Sequence, residues 1–221
     1  MNNSDNKTNT ISPAQAREIL LTLDSTHPDA APALNFTSAY ELMVAVVLSA
    51  QCTDERVNKV TSELFALANT PQKMLELGLE RLTKLVTPCG LGISKAKHII
   101  NASQRIIDAF NGEVPSSLDE LLSLDGVGIK SASVIRSVWF DIPAIAVDTH
   151  VFRVANRLGL AKANTPEATQ KQLMELLDED MWSHAHHLLI FHGRRICSAR
   201  KPQCDICPLK DKCQWHKSNN T

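Results

Sequence analysis

The chain has few glycines, 8 in 221 residues, and few aromatics, 5% with a single tyrosine. No stretch alternates apolar and polar residues in the manner of a strand, and the "AIAV" run at 144–147 is too short to decide. No run of 18 or more apolar residues exists, which excludes a membrane-spanning helix. A charge of one sign is also missing. The formal net charge is −1, so no global basic field advertises a nucleic-acid partner, and such a partner has to meet a local patch. The N-terminal "MNNSDNKTNT" is polar and lacks the apolar core of a secretory signal, so a cytoplasmic, reducing environment is expected.

What is present is helical periodicity. Apolar residues are 43% of the chain, charged residues 21%, and the length is enough for one or two domains with a real core. Ser12 and Pro13 open the first helix, which ends before Pro28. "SAYELMVAVVLSAQ" is the most apolar segment and reads as a buried helix. "TDERVNKVTSELFALA" starts with Thr53 or Asp54 as its cap, and "TPQKMLELGLERLTKLV" gives one or two short helices. In "SKAKHIINASQRIIDAF", Ser94 is the expected cap and Gly112 stands just past the end. "SLDELLSL" stops at Gly126-Val127-Gly128, "KSASVIRSVWF" follows, and Pro143 closes it. Three further amphipathic segments complete an all-α fold.

The six cysteines are unevenly spread. Cys52 and Cys89 are isolated, Cys89 reading as a buried small apolar residue, whereas Cys197, Cys204, Cys207 and Cys213 form a Cys-x6-Cys-x2-Cys-x5-Cys cluster. Four thiolates this close hold either one tetrahedral zinc or one cubane iron–sulfur cluster. Only Cys204 and Cys207 form a tight pair, and the wider gaps suit the cubane better, but spacing leaves zinc open. Arg194, Arg195, Arg200, Lys201, Lys210, Lys212 and Lys217 crowd the same region. They either compensate the thiolates or contact phosphate. His150, His186, His187 and His192 lack zinc spacing with a carboxylate and read as hydrogen-bonded structural histidines.

"LDGVGIKSASVI" at 124–135 is a helical corner with an amine, Lys130, just past the break. Glycines permit positive φ there, and free amides at the following helix start bind phosphate without a charged side chain. By itself Lys130 reads as a solvated lysine, and Asp148 in "AVDTHVF" reads as an N-cap. Together an amine and a carboxylate suit Schiff-base chemistry.

These segments, in this order, resemble the endonuclease III family of the helix–hairpin–helix DNA glycosylase superfamily: "LDGVGIKSASVI", "VDTHVFRVANRLGL", "HHLLIFHGRRIC" and the cysteine spacing. "LSAQCTDERVN" and "CGLGISKAKHI" resemble the family too, so the likeness runs from about residue 12 to 215. It implies a bilobal all-α fold with a DNA cleft between lobes. A six-helix lobe over 32–142 carries the hairpin, and a discontinuous second lobe, 1–31 with 143–221, carries a [4Fe–4S] cluster on the four cysteines at 197–213.

The resemblance further implies a base-excision-repair enzyme that flips a damaged pyrimidine out of double-stranded DNA. Lys130 is the nucleophile and AP-lyase amine, and Asp148 assists it. Gly126 and Gly128 present amides to a phosphate. Gln51 fills the hole left by the flipped nucleotide and Leu91 is the apolar wedge facing it; without the resemblance they read as a surface amide and a core leucine. Arg200 and Lys201 match phosphate contacts. A monomer, nucleoid-associated in the cytoplasm and without membrane partners, is expected. Three departures stand out: Asp125 where proline is common, Ile129 where a basic residue is common, and Gly92-Ile93 after the wedge leucine. They put the grip on phosphate and the opposite-strand contacts in question. A monofunctional mismatch glycosylase is the alternative within the superfamily, and a noncatalytic DNA-binding module lies outside it. Lys130, and a chain end eight residues after Cys213, favour the bifunctional enzyme.

Overall fold

The computed structural model describes residues 11–219. The polar stretch 1–10, where no secretory signal is expected, lies outside the described residues, as do 220 and 221. Every regular element among the described residues is helical, and the chain divides into two compact units.

One unit is Pro32–Ile142. Its centre is α2 (Ala39–Ser49), in which every residue from Tyr40 to Leu48 is buried, as its unbroken apolar run requires. Ser38 caps it by accepting from Glu41 N at 3.1 Å. The Glu41 carboxylate, itself buried, accepts from Thr37 N and Oγ1. Around α2 pack α3 (Asp54–Leu67), α6 (Gly92–Phe110) and α8 (Ile129–Trp139). The stretch 71–86 lies against α6 in two pieces, α4 (Pro71–Leu77) and α5 (Leu79–Val86), because Gly78 at φ +76° breaks it. The short α7 (Leu118–Leu122) leads into the hairpin. Leu42, Met43, Leu48, Leu64, Leu82, Ile99, Ile106 and Leu121 are fully enclosed here. Each contributes about 1.5–3 kcal/mol by leaving water.

The start of α6 corrects the expectation of a Ser94 cap. The helix begins three residues earlier than that cap implies, at Gly92, with Leu91 as a left-handed N-cap at φ +51°. Glycine is required at 92, since a Cβ there would stand 2.8 Å from Thr87 Cα and Oγ1 in the preceding 3₁₀ turn, Thr87–Cys89.

The other unit joins 11–31 to 143–219. α1 (Pro13–Thr26) carries a full capping box, with Ser12 and Gln15 bonded to each other's backbone amides. α9 (Thr149–Leu158) is the hub, contacted by α10 (Pro166–Leu176), α11 (Trp182–Arg195) and α12 (Gln214–Asn219). Residues 144–147 before it are buried and belong to no strand ladder. Two of their carbonyls meet side chains instead. Gln170 Nε2 donates to Ile145 O at 2.7 Å, and His186 Nδ1 lies 2.7 Å from Ala146 O.

Candidate functional site

The hairpin joins α7 to α8. Val127 N donates to Leu124 O, closing the turn, and Gly126 sits at φ +79°. A Cβ at 126 would also meet His98 Cβ at 2.8 Å, so both backbone angle and packing demand glycine. Gly128 is the N-cap of α8, with no side-chain cap and open space where a Cβ would be. The first amides of an 11-residue helix therefore face outward beside bare backbone, a geometry suited to an anion. Lys130, the second residue of α8, is exposed.

The departures in this hairpin have a structural counterpart. The Asp125 carboxylate turns back to α6, where Asn101 Nδ2 donates to it at 2.8 Å and His98 Nε2 stands 3.8 Å away. It ties the turn down through a hydrogen bond where a proline would stiffen it through its ring. Ile129 is 51% exposed, an apolar surface in place of a cation.

Elsewhere in the same unit, Gln51 follows the end of α2 at φ +55° and Leu91 precedes α6 at φ +51°. Backbone of this kind in a non-glycine residue costs about 1–3 kcal/mol and persists only where the surroundings enforce it. Both side chains are exposed, Leu91 to 62%, so Leu91 is not the core leucine that its residue type alone suggests.

Asp148 belongs to the other unit and is the N-cap of α9. Its Oδ1 accepts from His150 N and Val151 N, each at 2.8 Å. Two backbone bonds on one oxygen hold the half-buried carboxylate in a single orientation.

The cysteine loop follows α11. Cys197, Cys204, Cys207 and Cys213 are free thiols lining one cavity, otherwise walled mainly by Leu158, Ile196, Pro202 and Trp215. Among the described residues no three His, Cys, Asp or Glu side chains converge tightly enough for one metal ion. Four thiols on one cavity supply the ligand set that a cubane cluster takes. Burial pushes the Cys207 and Cys213 thiols up, and the neighbouring thiols add to this. The positive charge of bound iron is what makes four thiolates tenable there.

Two arginines that sequence reasoning passed over hold this loop. Arg157 Nη1 donates to Ser198 O at 2.8 Å and to Cys197 Sγ at 3.3 Å, and Nη2 donates to Ala199 O at 2.9 Å. Its guanidinium lies 4.5 Å from the centre of the Trp215 ring. Arg153 Nε donates to Cys197 O, and its Nη2 donates to Gly193 O. Both lie on the polar face of α9, with Thr149, His150 and Asn156, where nothing in the sequence sets them apart. His192, buried between His27 at 3.2 Å and Cys207 Sγ at 3.6 Å, backs the same loop.

The basic residues divide. Arg195 makes a bidentate pair with Asp29, which holds that carboxyl down at about 2. Lys210 pairs with Asp205 and Lys212 with Glu18. Arg200 and Lys201 stand exposed on the turn between the first two cysteines.

Two family comparisons fall on these features. Residues 44–179 match the HhH-GPD superfamily base excision DNA repair protein family, and residues 197–213 match the iron-sulfur binding domain of endonuclease III. The class is thus base excision DNA repair on a helix–hairpin–helix fold. Endonuclease III of Rickettsia conorii is 48% identical over 190 residues, which is 86% of this chain and 90% of that protein. Endonuclease III of Escherichia coli K12 is 43% identical over 202 residues, 91% of this chain and 96% of that one. A solved structure, a trapped endonuclease III–DNA covalent intermediate, superposes with a TM-score of 0.90 at 43% identity, covering 96% of this chain and all of that chain. The chain belongs to the endonuclease III family, and its cysteine loop holds a [4Fe–4S] cluster.

Proposed function

We infer that this protein excises oxidised pyrimidines from double-stranded DNA and then cleaves the strand, as a bifunctional DNA glycosylase and AP lyase. The observation that carries the reading is an exposed amine at the start of α8, beside outward-facing amides, in a chain of the endonuclease III family. A relative trapped as a covalent intermediate with DNA supports chemistry through a nucleophile. The bound phosphate holds the duplex at the hairpin through Gly126, Gly128 and the α8 amides. The Lys130 amine attacks C1′ of the flipped nucleotide, forming the N–C1′ bond as the glycosidic bond breaks and the base departs. The C1′–O4′ bond of this adduct then breaks, O4′ taking a proton to become a hydroxyl as the C=N bond forms, and the resulting imine acidifies the C2′ proton, whose loss expels the 3′ phosphate. Asp148, held by its two backbone bonds, accepts a proton from the amine or stabilises positive charge on the sugar. Gln51 fills the hole, Leu91 wedges the opposite strand, and Arg200 and Lys201 contact phosphate.

Cys197, Cys204, Cys207 and Cys213 hold the cluster, which when bound organises the loop around it. The enzyme works as a monomer in the cytoplasm, beside the nucleoid. No helix among the described residues is long and apolar enough to cross a membrane. The monofunctional alternative has no use for the hairpin amine, and Lys130 stands against it. Duplexes carrying thymine glycol, undamaged thymine or a G·T mismatch test the reading. Release of the oxidised base with a nick on its 3′ side is expected. Base release without a nick, or equal attack on the mismatch, would overturn it.

A further inference from the structure

Lys95 lies in the first turn of α6. In the structure it is 3% exposed. Its Nζ donates to two main-chain carbonyls, Leu48 O and Cys89 O, each at 2.8 Å. Leu48 is in the last turn of α2, where unsatisfied carbonyls form the negative end of the helix. Cys89 ends the 3₁₀ turn before α6.

Each carbonyl lies a few residues from one of the two exposed, left-handed side chains. Leu48 is three residues before Gln51, and Cys89 is two before Leu91. Lys95 itself follows Leu91 by one helical turn, and its own amide donates to Leu91 O at 2.9 Å. One ammonium therefore fastens two loops that are about 40 residues apart in sequence. The junction is enclosed: Cys89 is buried, and the adjacent Cys52 packs against the same core. A buried ammonium bonded to carbonyls is a costly arrangement to keep for packing alone, since an apolar side chain fills such a space without desolvating a charge. Its geometric effect is to hold both left-handed turns in register.

We propose that Lys95 is a positioning residue: its ammonium locks the Gln51 turn to the Leu91 turn so that both side chains enter the duplex as one rigid unit. This rests on the reading of Gln51 and Leu91 as the residues that occupy the duplex around a flipped nucleotide. Lys95 touches neither DNA nor the reacting sugar. Its action is confined to substrates with a base stack to penetrate and an opposite strand to wedge. On single-stranded abasic DNA there is no hole to fill, and Lys130 chemistry proceeds without it.

The test compares Lys95→Met holoenzyme with wild type on two substrates, with the cluster absorbance and helical circular dichroism checked first. Single-turnover excision of thymine glycol from duplex is expected to fall at least 10-fold. β-Elimination at a single-stranded abasic site is expected to stay within about 3-fold. Adding Lys95→Met to a Gln51→Ala, Leu91→Ala background is expected to cost little more, because the residues it positions are already gone. Equal loss on both substrates, or full duplex activity, would overturn the proposal. Should Lys95→Met not fold, Lys95→Gln, neutral and with a shorter reach, carries the same comparison. The underlying reading fails separately: the Gln51→Ala, Leu91→Ala enzyme would then excise from duplex at the wild-type rate.

Discussion

Asp148 caps α9 and is proposed to act in the chemistry, two roles that one pair of substitutions separates. Its Oδ1 serves as the α9 cap, accepting from His150 N and Val151 N, and its charge is assigned to the chemistry at the sugar. Asparagine keeps a carbonyl oxygen at the cap and ranks with aspartate as a capping residue, so Asp148→Asn loses only the charge–dipole part, about 0.3–1 kcal/mol. Alanine removes the acceptor and leaves two amides without it, at a cost of about 0.5–2 kcal/mol. For a chain of this size 1 kcal/mol moves Tm by about 2–4 °C, so Asp148→Ala melts roughly 1–8 °C lower and Asp148→Asn roughly 1–4 °C lower, the smaller loss of the two. Activity orders differently. Loss of a proton acceptor or a charge at the reacting centre costs about 10²–10⁴-fold, roughly 3–5 kcal/mol in the barrier. Both variants therefore fall together in single-turnover excision while they part in thermal unfolding. An Asp148→Asn enzyme that excises within a few-fold of wild type refutes the catalytic assignment and leaves Asp148 a cap alone.

Further expectations concern other parts of the molecule. Burial, with His186 and His184 adding to it, holds His187 down at about 4, against 6.5 when unfolded. The folded state thus binds fewer protons between these values, and stability is full above pH 6.5 and falls by about 2–3 kcal/mol as pH drops toward 4. Urea unfolding across this range shows the slope, and His187→Gln reduces it, with buried His192 and His27 left to supply the rest; an unchanged slope in that variant contradicts the assignment. Arg157→Ala removes three hydrogen bonds to the cysteine loop, worth about 2 kcal/mol or more. Iron release to a chelator, followed by loss of visible absorbance, is expected to accelerate at least 10-fold, and an unchanged rate argues against this role. Removing Arg200 and Lys201 together lowers the slope of log Kd against log salt by about 1–2, with little change in base preference. A slope equal to wild type means neither residue meets phosphate.

Helices were legible because their signals are local. Ser12 with Pro13, Thr53 and the unbroken apolar run of α2 each announce an element through capping or period. The start of α6 was misread because Leu91 is a left-handed cap, which residue type does not announce, and the reason for it, Thr87 crowding position 92, lies outside the helix. The hairpin and the cysteines were visible as motifs. What holds them in place was not. Asn101 under Asp125, Arg153 and Arg157 under the cysteine loop, and Lys95 under the Gln51 and Leu91 turns all look like ordinary polar helix residues. Their roles come from contacts 6 to 47 positions away, which no local pattern encodes.

The central claim is that Lys130 forms the covalent bond to DNA. Borohydride reduction during reaction with thymine glycol duplex measures it directly, since reduction fixes an imine as a stable protein–DNA crosslink. Wild-type enzyme is expected to give the crosslink, mapped by peptide mass to Lys130, and Lys130→Ala to give none while still binding the duplex. A crosslink of undiminished yield in Lys130→Ala, or one mapped to another amine, would contradict the account.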